Sequence, residues 1–286
     1  MDYVRFVERP QLTRPAMVCA FAGWNDGGEA ATTAATYLRD RWEASKFASL
    51  DPEEFFDFQM TRPTVSLVEG TSRKIDWPAN DFFRASLPER DVIVFIGIEP
   101  NIRWRTFCGA IVDTAKELGV EVLVTLGAFL ADVPHTRPAP STASSGDPSL
   151  LKRLGSVPSR YEGPTGITGV LHDTAGRVGL PSISIWAAVP HYLPSGPNPR
   201  AALSLVQKVA VALDVPIPTD TLALAGESWE PQISAMIEEN ADLAAYVRRL
   251  EETADEREEL IEIPSGEALA EELERFLREQ RKEGDR

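Results

Sequence analysis

Four short apolar runs constrain this chain more than any other feature: Ala16–Ala22 (AMVCAFA), Asp91–Ile98 (DVIVFIGI), Glu121–Leu126 (EVLVTL) and Ser182–Val189 (SISIWAAV). Each is apolar at most positions, with neighbouring apolar residues outside the alternating Ser182–Ile185. That is the pattern of a strand covered on both faces. Between them lie stretches with helical spacing. From about Gly27 to Arg41, Ala31, Ala34, Ala35, Leu38 and Trp42 fall on one face. Trp104–Leu118 repeats the pattern, with Gly119 as its stop, and so does Pro199–Leu213. Strand and helix alternate, which predicts an α/β fold with a largely parallel central sheet flanked by helices.

The remaining segments are smaller. Thr64–Val68 and Arg73–Trp77 flank Glu69–Gly70 and read as a hairpin. Ala131–Asp147 is rich in Pro, Ser and Thr and reads as irregular, with short helices at Leu150–Leu154 and Ile167–Val178. After Pro218 the character changes. Ile233, Met236, Ile237, Leu243, Ala244, Val247 and Leu250 make an apolar stripe, and Leu269, Leu273, Phe276 and Leu277 mark a second helix over about 267–282. The expected organisation is an α/β core over residues 1–217 and a helical C-terminal extension over 218–286, packed on that core as a hairpin.

Composition narrows the function classes. Of 286 residues, 43% are hydrophobic, enough for a sizeable core, while the net charge is −15. Such a charge repels nucleic acid and anionic lipid, so neither is an expected partner. No apolar run reaches the ~20 residues of a membrane span, and the N-terminus has no signal-peptide pattern. Cys19 and Cys108 sit in apolar surroundings, as reduced buried thiols of a cytoplasmic protein would.

Four polar stretches each follow an apolar run. GWNDGGEAA carries Trp24, Asn25 and Asp26; GIEPNIRW carries Glu99 and Arg103; ADVPHTRP carries His135 and Arg137; AAVPHYLP carries His191 and Tyr192. In a parallel sheet those strand ends share one edge, and ligands bind in the crevice outside it. These residues, with Tyr161 of YEGPTGITGVL, are therefore the candidate binding set. GWNDGGEAA fits a corner and a helix cap better than a phosphate cradle. Asp26 and Glu29 have capping-box spacing, with Asp26 accepting from the backbone N–H of residue 28 or 29. Two carboxylates in the first turn would repel a phosphate, and the stretch has neither the P-loop lysine nor GxGxxG. Glu99 and Arg103 are read either as ligand-binding groups or as residues that pair with each other or cap the next helix. His172 is expected to face solvent or cap a helix. The absence of HExxH, CxxC and GxSxG argues against a metal site or a serine triad, and no catalytic residue is assigned.

Taken in order, GWNDGGEAA, GIEPNIRW, ADVPHTRP, YEGPTGITGVL and WAAVPHY resemble the proteasome assembly chaperone 2 family in its actinobacterial branch, over nearly the whole chain. The resemblance implies a phosphorylase/hydrolase-like α/β fold and self-association into trimers or similar rings. It implies a non-enzymatic role in assembly, with proteasome subunits or another complex as partner and no cofactor. Some bacterial members carry an alternative label, ATP-dependent carboxylate–amine ligase; a phosphorylase-like transferase is a further possibility. Relatives that dock on the proteasome end in a hydrophobic residue, Tyr and any residue. Here the last residues are Arg281-Lys282-Glu283-Gly284-Asp285-Arg286, which do not fit an apolar pocket.

Overall fold

The structure is a computed structural model and describes residues 3–68, 72–155, 157–158 and 161–261. In chain order the strands are β1 (Val4–Phe6), β2 (Ala16–Ala22), β3 (Ser45–Leu50), β4 (Thr64–Val68), β5 (Ser72–Asp76), β6 (Asp81–Ser86), β7 (Asp91–Ile98), β8 (Val122–Ala131), β9 (Ser141–Ser145), β10 (Val157–Pro158) and β11 (Ser182–Pro190). The α-helices are α1 (Ala30–Arg41), α2 (Trp104–Glu117), α3 (Pro148–Leu154), α4 (Ile167–Arg177), α5 (Pro199–Leu213), α6 (Asp220–Glu238) and α7 (Ala241–Ile261). The second tail helix expected over 267–282, and the turn at Glu69–Gly70, lie outside the described residues.

Nine strands form one sheet in the order β1-β3-β6-β7-β2-β8-β11-β9-β10, and β4-β5 form a separate two-stranded sheet. The centre, β7-β2-β8-β11, is parallel throughout. Antiparallel pairing begins outward of it, at β6 on one side and β9 on the other. This is the α/β architecture the four apolar runs demand, with antiparallel margins that the runs do not announce.

Side chains of the central strands alternate between two cores. Ala16, Val18 and Ala20 of β2 face one layer with Val92, Val94, Ile183 and Ile185, covered by α1 and α5. Met17, Cys19 and Phe21 face the other with Ile93 and Phe95, covered by α2 and α4. Burial on both sides is why these strands read as continuous apolar runs. The layers differ in grain. The buried residues of the first are all aliphatic and rich in Ala, so the alanine face of α1 approaches closely. The second holds a connected set of rings in which Phe82 and Phe95 meet at 4.6 Å and Phe55 and Phe107 at 5.2 Å.

Two local readings change. The stretch 131–147 contains β9, whose polar STASS sequence gives no apolar signal although it pairs with β11. The run at 121–126 extends as a strand to Ala131. The chain divides into two compact units at Met236/Ile237. In the first, Leu222 of α6 joins the α1–α5 core. In the second, Asn240 starts α7, its side chain accepting from the N–H groups of Asp242 and Leu243. No described helix is long and apolar enough to cross a membrane.

Candidate functional site

The parallel register places the ends of β7, β2, β8 and β11 on one rim. The chain leaves β2 and β8 towards the α1–α5 layer and leaves β7, between β2 and β6, towards the α2–α4 layer. Loops diverging from adjacent strands open a crevice at that point, the usual ligand position in open α/β sheets. Here polar side chains bridge it. Asn25, fully buried, donates from Nδ2 to Glu99 Oε1 at 2.8 Å, and the same oxygen accepts the Ile167 N–H at the start of α4 at 2.9 Å. Glu99 thus ties the β2 loop to the positive end of a third element's helix. A Cβ on Gly166 would lie 2.3 Å from Asn25 Oδ1, so only glycine lets this backbone pass over the amide. Asn25 Oδ1 itself is buried without a partner.

Asp26 does cap a helix, but not at the expected N–H groups. Gly28 (φ 57°) and Glu29 (φ 50°) are both left-handed, so a 3₁₀ turn over Gly27–Glu29 kinks before α1 begins. The carboxylate therefore reaches the amides of Ala31 at 2.7 Å and Thr32 at 3.2 Å, and the Thr32 hydroxyl donates to it as well. Burial raises the pKa of Asp26, against the pull of these donors. The β2 loop also extends the sheet beyond its strand: Ala128 N–H donates to Asn25 C=O at 2.8 Å, and Asp26 bridges to Ala128.

A second group stands at the ends of β8 and β11. His135 is buried; its Nδ1 lies 3.0 Å from Tyr192 Oη and its Nε2 3.0 Å from Ser234 Oγ on α6. Tyr192 Oη also accepts the His135 backbone N–H at 2.9 Å. Trp229 meets the imidazole edge-on at 6.2 Å. Arg200 donates to the carbonyls of His135 and Arg137 and pairs with Glu230 at 2.5 Å. Arg137 lines a cleft of about 10 Å³ beside His135, barely room for one water. His191 Nδ1 faces Asp132 at 3.2 Å on the exposed rim.

Arg103 belongs elsewhere. Its guanidinium pairs with Glu54, donates to Tyr3 Oη at 2.8 Å and stacks over the Tyr3 and Phe55 rings. It is no ion-pair partner of Glu99. His172 is half-buried rather than solvent-facing; desolvation lowers its pKa, and its Nδ1 has no partner. The thiols of Cys19 and Cys108 are buried, and burial pushes Cys108 up to about 12 and Cys19 further. Among the described residues no three His, Cys, Asp or Glu side chains gather to hold a metal ion.

Beside the exposed His191–Asp132 pair, apolar side chains also face outward. Trp24 is 64% exposed and Tyr161 67%, with Phe129 and Leu130 also exposed at the end of β8. Ser234, Trp229 and Arg200 escaped the sequence reading because they sit inside helical stretches, where only the fold brings them to His135.

The PAC2 family profile matches residues 20–237. This chain belongs to the PAC2 family. A PAC2 family protein from Streptomyces avermitilis has 42% identity and a TM-score of 0.74, covering 82% of this chain and 99% of its own. A proteasome-assembly chaperone homologue from Mycobacterium tuberculosis has 41% identity and a TM-score of 0.75, covering 81% of this chain and 99% of its own. An archaeal proteasome activator from Pyrococcus furiosus shares the PAC2 fold at 19% identity and a TM-score of 0.66, over 82% of this chain and 99% of its own. No curated protein matches the chain.

Proposed function

We propose that this PAC2-family protein is a non-enzymatic, homo-oligomeric assembly protein of the cytoplasm, which engages proteasome subunits or another protein complex through its strand-end rim. The observation that carries this reading is a cluster of exposed apolar side chains beside buried polar groups that are already bonded. Asn25, Asp26, Glu99 and His135 bond to other parts of the same chain. Trp24, Phe129, Leu130 and Tyr161 present apolar surface outward. Aromatic residues held on a rigid polar scaffold are the side chains that dominate protein interfaces. The likeness to a proteasome-assembly chaperone homologue supports the same class of partner.

The test is affinity capture with purified proteasome subunits and with cell lysate, comparing the native protein with Trp24→Ala and Tyr161→Ala. The expected result is recovery of a proteasome subunit or one defined complex, reduced about tenfold or more by either change, as for interface hot spots. Equal recovery by native and variant protein would move the interface off this rim. The competing reading is a carboxylate–amine ligase or a phosphorylase-like transferase. A nucleotide-dependent thermal shift that disappears in Glu99→Ala would favour it.

A further inference from the structure

A cleft of about 470 Å³ opens where β3 ends and β6 begins. That volume falls within the ~300–1,000 Å³ of small-molecule sites. Both β3 and β7 pair antiparallel with β6, so β3 ends on the same side of the sheet as β7. The cleft is built from Ser49–Asp51 after β3, Trp77–Asn80 before β6, and side chains of β1 and β6.

Its lining is selective. Five charged side chains contribute, and four of them cancel: Arg5 pairs with Asp51, and Lys46 with Asp81 at 2.8 Å. The fifth is the carboxylate of Glu53. An anionic ligand would meet that carboxylate and would have to take a cation from its partner. Trp77 supplies a flat apolar wall. Its ring is 50% exposed and is braced edge-on by Phe58 at 4.9 Å. Leu50, Pro78 and Ala79 add apolar surface.

Asn80 is the informative polar group, because it lines the cleft and is fully buried. Its Oδ1 accepts the Ile98 N–H at 2.9 Å, and only the oxygen end of an amide takes that bond. Gly97 packs so closely on Oδ1 that a Cβ there would not fit, which holds this end in place. The other end is therefore Nδ2, a donor, and it is buried without a partner. A donor so placed favours any ligand that brings it an acceptor.

We infer that this cleft binds a planar nitrogen heterocycle without negative charge, of the class of nucleobases and nucleosides. The ring stacks on Trp77, and a ring nitrogen or carbonyl oxygen accepts from Asn80 Nδ2. The Glu53 carboxylate accepts from an N–H or hydroxyl of the ligand and turns phosphate away. Stacking on an aromatic side chain tolerates every base, so Trp77 and Asn80 set the class rather than one member. The inference is independent of the partner binding proposed above, since Trp24, Phe129, Leu130 and Tyr161 are no part of this cleft.

The test is titration calorimetry of the full chain with adenine, adenosine, cytidine, uridine and nicotinamide. Adenosine monophosphate is the charged counterpart, and a short oligoadenylate is the polymeric source of the same ring. At least one neutral ligand should bind one-to-one. Trp77→Ala should weaken it about tenfold, and Trp77→Phe should restore most of the affinity. Asn80→Asp keeps an acceptor for the Ile98 N–H but removes the donor, and should weaken the same ligand about fivefold or more. The Trp77 variants alter an exposed ring, so they remain readable if Asn80→Asp fails to fold. No binding of any neutral ligand at millimolar concentration, or equal affinity in Trp77→Ala, overturns the site. Tighter binding of the monophosphate or the oligoadenylate than of adenosine overturns the assignment of an uncharged free ligand. Capture of a protein partner is a separate readout, so either proposal can fail without the other.

Discussion

At the scale of single residues, Glu99 holds the rim together. Its Oε1 accepts from both the Asn25 amide and the Ile167 N–H. Glu99→Ala leaves both donors without that acceptor, so we expect a loss of about 2–4 kcal/mol of stability in urea unfolding, with each orphaned donor costing ~1–3 kcal/mol and one of them partly solvated. Asp26 and His172 give opposite pH signatures. The folded pKa of Asp26 is raised above 3.8, so the folded state holds the proton more tightly than the unfolded chain. Stability contributed by that proton appears as pH falls through the raised pKa and is absent above it. The difference in melting temperature between the native protein and Asp26→Asn should therefore move in favour of the native protein between neutral pH and pH 4. For His172 the folded pKa lies below 6.5, so protonation favours the unfolded chain. Stability should fall as pH drops through and below 6.5, and His172→Gln should flatten that part of the profile.

At the scale of elements, the polar contacts act as fasteners between segments far apart in the chain. The His135 imidazole reaches Ser234 on α6, and Arg200 of α5 pairs with Glu230 on the same helix. His135→Ala should loosen α6 locally: hydrogen exchange over residues 220–236 is expected to quicken about tenfold, while β2 and β7 stay protected. The elements differ in how legible they were. The central strands and α5 were evident because burial on both faces, or on one helical face, forces an apolar period. The start of α1 was misplaced because two consecutive left-handed residues, Gly28 and Glu29, are a backbone choice that a capping-box spacing does not encode. β9 was missed because a polar strand earns its place by pairing with β11, not by its own pattern.

At the scale of the whole molecule, α6 decides where the first unit can be cut. Leu222 lies in the α1–α5 core, and the Tyr37 hydroxyl donates to Pro218 C=O at 2.7 Å. A chain ending at Asn240 is expected to melt cooperatively within ~4 °C of the full chain, since it keeps these contacts. One ending at Pro218 should lose about 3 kcal/mol or more, because it exposes the site of a buried leucine and leaves His135 Nε2 without Ser234. Urea unfolding of the two truncations by circular dichroism checks both statements.

That polar side chains placed directly after apolar strands emerge at a sheet edge was legible, and the parallel register puts the ends of β7, β2, β8 and β11 together. The sequence by itself determined the α/β class, the shared rim and the kinship carried by its ordered motifs, because strand burial and strand direction are written in local periodicity. Only the tertiary structure decided which partner each polar group takes. Arg103 goes to Glu54 and Tyr3, Glu99 to Asn25 and α4, and His135 to a serine some hundred residues away on α6. A charged or hydrogen-bonding side chain satisfies whichever complementary group the packing brings within about 3 Å, and that proximity is a property of the packed layers, not of any stretch of chain.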